Sequence, residues 1–117
     1  TELFAGVKSE PGFGSLIMCG LGGIFIEVMK DVQTGLSPLT LNEALEMIRN
    51  LKGYPIFKGA RGRTPVNELV FAGILVKLSI LAELVPEIKE MDINPLMGSG
   101  EQIVAVDARA RISGSNL

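Results

Sequence analysis

The last third of the chain alternates so regularly that its own side chains dictate how it can pair. Residues 88–96 and 102–111 read as two strands joined by a turn near Gly98-Ser99-Gly100. Side chains alternate faces along a strand. Glu90, Asp92 and Asn94 therefore share one face, and Met91 and Ile93 the other. On the return strand Asp107, Arg109 and Arg111 share a face, with Val104, Val106 and Ala108 opposite. Placing Asn94 across from Asp107 sets Asp92 against Arg109 and Glu90 against Arg111. The second face then becomes wholly apolar: Met91, Ile93, Val104, Val106, Ala108 and Ala110. A slip of one residue would mix the two faces, so this register is the expected one.

That pairing sets a carboxylate beside an amide oxygen, a ligand pair suited to magnesium carrying substrate phosphates. The same pattern also describes a solvated strand face with ordinary cross-strand ion pairs, Asp92–Arg109 and Glu90–Arg111. Periodicity leaves both readings open.

Upstream, residues 3–7 and 16–19 read as strands, separated by the turn Pro11-Gly12-Phe13-Gly14. Gly20-Leu21-Gly22-Gly23 interrupts the second, and residues 24–32 resume as a third. Thr40 and Glu43 form a capping box ahead of Leu41, Ala44, Leu45, Ile48 and Leu51 at helical spacing, with Gly53 as a stop. Thr64 and Pro65 open a second helix running to about Leu84. It is apolar on several faces and so expected to be largely buried. Strands, two helices and a hairpin in that order imply an α+β fold, a mainly antiparallel sheet with two helices packed on it.

With 117 residues and 47% hydrophobic composition, one domain spanning residues 1–117 is expected. The net charge of -2 speaks against a nucleic-acid partner. The apolar run over residues 16–28 is too short for a membrane span and is broken by glycines. The absence of histidine excludes His-based catalysis and His-ligated metal within the chain. Cys19 is the lone cysteine, so no internal disulfide forms; a reducing, cytoplasmic setting is expected. Cys19 lies in an apolar strand without a base and is read as structural. The chain opens directly in strand-like sequence, which suggests a part of a longer polypeptide.

The glycines at 20–23 can bring backbone N–H groups to a phosphate, but no Walker-type Lys-Ser/Thr follows, and a tight turn explains them equally well. Arg61 in Gly59-Ala60-Arg61-Gly62-Arg63 is a candidate phosphate clamp. Arg63, Lys30-Asp31 and Glu83 are read as solvated surface.

Four ordered segments carry a resemblance over essentially the whole chain: PGFGSLIMCGLGGIFIEVMKDV, GARG at 59–62, EIKEMDINPL and VAVDARARI. Together they resemble ADP-forming acyl-CoA synthetases, relatives of the nucleotide-binding subunit of succinyl-CoA synthetase. The resemblance implies the C-terminal lobe of an ATP-grasp domain. It implies that Asn94 and Asp107 hold Mg2+, that Asp92 meets a phosphohistidine loop, and that Glu2 lies near the nucleotide ribose. Gly22, Gly23 and Glu27 would belong to a loop closing over the phosphates of ATP or ADP. The implied reaction converts acid, CoA and ATP into acyl-CoA, ADP and phosphate through a phosphohistidine. Ser15 departs from the family's usual proline. The first lobe, with its phosphate-binding lysine and adenine hinge, would precede Thr1. The phosphohistidine and CoA-binding domain or subunit would be a partner in a homo- or hetero-oligomer. A regulatory region, as in some protein lysine acetyltransferases, and a plain interaction domain are the rival expectations.

Overall fold

A computed structural model describes residues 1–113, and every side chain among them except those of Ile24 and Arg61. In chain order the elements are β1 (Glu2–Glu10), β2 (Gly14–Leu21), α1 (Ile24–Glu27), β3 (Val32–Leu36), α2 (Leu41–Arg49) and α3 (Tyr54–Phe57). A 3-10 turn (Ala60–Gly62), α4 (Glu68–Leu84), β4 (Ile88–Ser99), β5 (Gln102–Ala105) and β6 (Ala108–Ile112) complete it. The strands form one sheet in the order β3-β2-β1-β4-β5, with β6 also paired to β4. Every strand pairing is antiparallel, so the expected α+β architecture stands.

Alternation decides which side of this sheet is covered. Leu3, Ala5 and Val7 of β1 and Ile17, Cys19 and Leu21 of β2 are buried. They form one core with Ala44, Met47 and Ile48 of α2 and Phe71, Ala72, Leu75 and Leu78 of α4. The other side of the sheet, bearing Lys8 on β1, Met18 on β2 and Asp92 on β4, walls an open cleft.

The capping box of α2 forms as expected: Thr40 Oγ1 accepts from Glu43 N–H at 3.1 Å, and Glu43 Oε1 accepts from Thr40 N–H at 2.9 Å. The start of α4 differs from expectation. Its cap is Asn67, whose Oδ1 accepts from Val70 N–H at 3.1 Å. Val66 is drawn into the core, donates its N–H to Phe57 O and bridges to Gly100, which keeps residues 64–66 extended. Nor is α4 buried all round. Leu69, Ile80 and Leu84 are exposed, Leu84 by 75%. No helix of the described residues is long and apolar enough to cross a membrane.

The expected strand at residues 24–32 is absent. Gly23 turns the chain at φ 64, a four-residue helix follows, and Lys30 turns it again at φ 56 before β3 begins. Asp31, expected at the surface, is buried. The expected frayed tail beyond residue 113 lies outside the described residues.

Candidate functional site

The hairpin takes the register its side chains demand over most of its length: Asp92 pairs with Arg109 and Glu90 with Arg111. Arg111 Nη2 reaches Glu90 Oε1 at 3.1 Å. Asn94 N–H donates to Asp107 O at 3.2 Å, so these two residues stand opposite each other as expected.

That register holds through to Ser99 and Gln102, but the expected alternation of faces breaks. Both strands carry an extra residue at this point, Asn94-Pro95 on one and Val106-Asp107 on the other. Ile93 pairs with Ala5, but Leu96 pairs with Leu3, so β4 gains one residue on β1. Ala108 pairs with Ile93 and Ala105 with Leu96, so the return strand stays in register with β4 and shifts with it relative to β1. Such an irregularity reverses which parity faces the core. Val104 is thus opposite Met97, on the open side, and Val104 and Val106 are exposed rather than part of one continuous apolar face.

Two clefts lie near Asn94, which lines the wider one. The wider, about 420 Å³, is walled by Phe4, Lys8, Met18, Glu90, Asp92 and Asn94, among others. Gly6 is opposite Asp92. Its missing side chain lets Phe4 and Met18 fold inward: a β-carbon at Gly6 would lie 3.2 Å from Phe4 Cζ and 3.3 Å from Met18 Cε. Loss of hydration pushes the Asp92 carboxyl above its usual range; the Arg109 guanidinium opposes this, and the Asp107 charge adds to it. Asp107 Oδ1 accepts from Ala108 N–H at 2.9 Å, and Oδ2 lies 3.9 Å from Arg109 Nε.

The smaller cleft, about 220 Å³, is lined by Thr1, Glu2, Leu21, Gly22, Gly23, Phe25 and Arg63. Gly22 N–H donates to Glu2 O at 2.8 Å. A β-carbon at Gly22 would lie 3.2 Å from Glu2 Cβ and 3.4 Å from Asn94 Oδ1, and one at Gly23 3.0 Å from Glu2 Oε2. Glu2, the glycine pair and Asn94, far apart in sequence, therefore converge on one spot. Glu27 ends α1 with its side chain exposed and without a hydrogen bond or ion pair among the described residues. Arg61 lies in the 3-10 turn, and its side chain is outside the described set.

Two residues of this surface escaped the reading of the sequence. Lys8 shares the open side with Asp92 and pairs with Glu90; its signal was its place in the alternation of β1, usable only once β1 is known to lie beside β4. Arg63, read as solvated loop, lines the cleft with Glu2. Cys19 is buried as expected, its thiol pushed up to about 12 by burial and then by the nearby Asp31 charge.

A family model described as an ATP-grasp domain matches residues 1–112. The chain belongs to the ATP-grasp family. Among relatives, it is 51% identical over 108 residues to the beta subunit of acetate–CoA ligase [ADP-forming] I of Pyrococcus furiosus, an alignment covering 92% of this chain and 47% of that subunit. It is 42% identical over 109 residues to 4-hydroxybutyrate–CoA ligase [ADP-forming] of Nitrosopumilus maritimus, covering 90% of this chain and 16% of the relative. Among solved structures, the dinucleotide-forming acetyl-coenzyme A synthetase 1 of Candidatus Korarchaeum cryptofilum superposes with a TM-score of 0.90 at 36% identity, over 95% of this chain and 52% of that one. That structure holds coenzyme A and Mg-AMPPCP, with its phosphohistidine segment pointing towards the nucleotide-binding site. This ATP-grasp chain spans about half the length of the Pyrococcus subunit. The resemblance read from its motifs, to ADP-forming acyl-CoA synthetases, is thereby borne out.

Proposed function

We propose that this chain is the C-terminal lobe of an ATP-grasp domain within a longer protein, and supplies the metal-and-phosphate half of the nucleotide site of an ADP-forming acyl-CoA synthetase. The observation that carries this is the convergence of Glu2, Gly22 and Asn94 beside the Asn94–Asp107 crossing. The complete protein would interconvert acid, CoA and ATP with acyl-CoA, ADP and phosphate. The similarity of this chain to ligases of that class favours catalysis over a purely regulatory role.

The donor set suits a hard cation: an amide oxygen at Asn94 and a carboxylate at Asp107, with no histidine in the chain. The described residues contain no group of three His, Cys, Asp or Glu able to hold a metal by themselves, so Asn94 and Asp107 would hold the ion only together with substrate phosphate and water. When bound, Mg2+ offsets phosphate charge during transfer. Asn94 and Asp107 would hold the ion and so help orient the nucleotide phosphates. Glu2 accepts from the ribose hydroxyls. Gly22 and Gly23 let backbone approach the phosphates without a side chain intervening. Glu27 belongs to the loop that closes over the phosphates, and Arg61 would clamp a phosphate. Asp92, at the wall of the wider cleft, receives the phosphohistidine segment of a CoA-binding domain or partner subunit, and its carboxylate orients the imidazole for transfer. The lone buried thiol accords with a cytoplasmic protein.

The test is Asp107→Ala in the complete protein. Turnover should fall ~10²–10³-fold, the scale of removing one preorganised electrostatic group. The fold should persist, because the carboxylate is half exposed and makes one hydrogen bond, at 2.9 Å. Unchanged turnover would overturn the assignment.

A further inference from the structure

Asp31 is only 4% exposed, yet it carries a carboxylate, and nothing proposed above uses it. Both oxygens are engaged: Oδ1 accepts from Lys52 N–H at 2.8 Å and Oδ2 from Gly53 N–H at 2.7 Å. Those amides belong to the turn between α2 and α3. The backbone N–H of Asp31 donates to Phe25 O at 3.0 Å, which closes the chain behind α1. Its carbonyl packs where Gly20 leaves room, since a β-carbon at Gly20 would stand 2.6 Å from that oxygen. Gly53 leaves room in the same way: a β-carbon there would collide with Leu21 Cδ1 and lie 3.1 Å from Asp31 Oδ2. One residue thus ties together the end of β2, the back of α1 and the α2–α3 turn. The residue before it, Lys30, is held at φ 56, a left-handed conformation that a non-glycine side chain keeps only when its surroundings impose it. The front of the same loop is tied by Gly22 N–H to Glu2 O, and Gly23 O accepts from Ile26 and Glu27 N–H at 3.1 Å.

We propose that Asp31 is a positioning residue for the nucleotide site: its buried carboxylate anchors the rear of the glycine-rich loop, so that Gly22 and Gly23 are held against Glu2 and Asn94. This rests on the functional reading above. The latch needs a carboxylate, because two N–H donors require two acceptor oxygens. Asparagine offers one oxygen and turns an NH2 group toward the second amide, leaving that N–H unpaired in a buried place.

The experiment is Asp31→Asn in the complete protein, with Mg-ADP binding followed by calorimetry and acyl-CoA KM by steady-state assay. Binding of Mg-ADP should weaken about tenfold, as for one buried donor left unpaired, while the KM for acyl-CoA stays as in the wild type. A variant that binds Mg-ADP normally, whatever its melting temperature, overturns the proposal. A second measurement needs no variant. Sites coupled through one element act on each other reciprocally, so Mg-ADP added to the wild type should slow hydrogen exchange at the Lys52 and Gly53 amides. Nucleotide binding with no change at those two amides refutes the latch. A wild-type protein that binds no Mg-ADP at all defeats the functional reading, and this inference with it.

Discussion

Gly22 is the position at which the site can be disturbed most selectively. It is buried and its φ is not in the left-handed region, so alanine is conformationally allowed there and its effect is steric. The added methyl would meet Glu2 Cβ at 3.2 Å and Asn94 Oδ1 at 3.4 Å. Carbon atoms in contact prefer about 3.5–4.0 Å, so the gap is short by a few tenths of an ångström on the Glu2 side. Gly22 cannot retreat without lengthening its 2.8 Å hydrogen bond to Glu2 O. The strain must then move Glu2 or turn the Asn94 carboxamide. Overpacking of this kind costs roughly 1–3 kcal/mol, and if half of that falls on the bound geometry, Mg-ADP affinity drops about two- to tenfold. Calorimetry on the complete protein, alongside thermal melts, measures both parts. Gly73→Ala is the control. It lies within α4 with open space where its β-carbon would go. It should raise stability by about 0.5–1 kcal/mol and leave Mg-ADP binding alone. Equal Mg-ADP affinity in Gly22→Ala and wild type would refute the claim that Glu2, Gly22 and Asn94 form one contiguous site.

Cys19 should resist alkylation at neutral pH in the folded protein and react promptly once denatured, since its thiol is pushed up to about 12; fast labelling of the native state would contradict its burial. Asp92→Asn should separate function from stability. The folded Asp92 carboxyl keeps its proton to a higher pH than in the unfolded chain, so the folded state binds more protons and loses stability as pH rises through that window. The variant should therefore melt higher than wild type at neutral pH, with the difference vanishing below the unfolded value of about 3.9, while turnover falls. A gap that widens on acidification would show the sign to be wrong.

The elements legible in the sequence are those whose signals are local and agree with their packing. Thr40 and Glu43 cap α2 because the donors and acceptors lie three residues apart. The pairing of Glu90 and Asp92 with Arg111 and Arg109 follows from alternation over a short turn. Residues 24–32 failed because Ile, Phe and Val suit a strand as well as a short turn of helix. What decides between them is non-local: Asp31 bonded to Lys52 and Gly53, some twenty residues on. Thr64-Pro65 is a sound helix start in isolation, yet Val66 is pulled to Phe57 and Gly100 and delays α4 to Glu68.

The slip at Asn94-Pro95 had a visible signal, since a proline cannot donate to a ladder and inside a strand marks an edge or a bulge. Its consequence reaches the site. Under unbroken alternation Leu96 would share the open side with Asn94 and Asp92. Leu96 is instead buried beside Leu3, and the return strand slips in step to keep Ala105 opposite it. Burying a leucine contributes about 1.5–3 kcal/mol, enough to select the slipped register over the regular one. The irregularity leaves Asn94 and Asp107 joined by a single backbone bond, with Val106 N–H turned to Pro95 O. It also leaves the Asn94 amide oxygen beside Gly22, at the edge of the cleft that Glu90 and Asp92 wall. The same departure from regular pairing that completes the core thus falls at the candidate magnesium ligand, at the end of the ion-paired stretch. Pattern alone left those two readings of the hairpin open: the ion pair forms at Glu90 and Arg111, while the proposed ligand role rests on Asn94, whose amide oxygen lies beside Gly22.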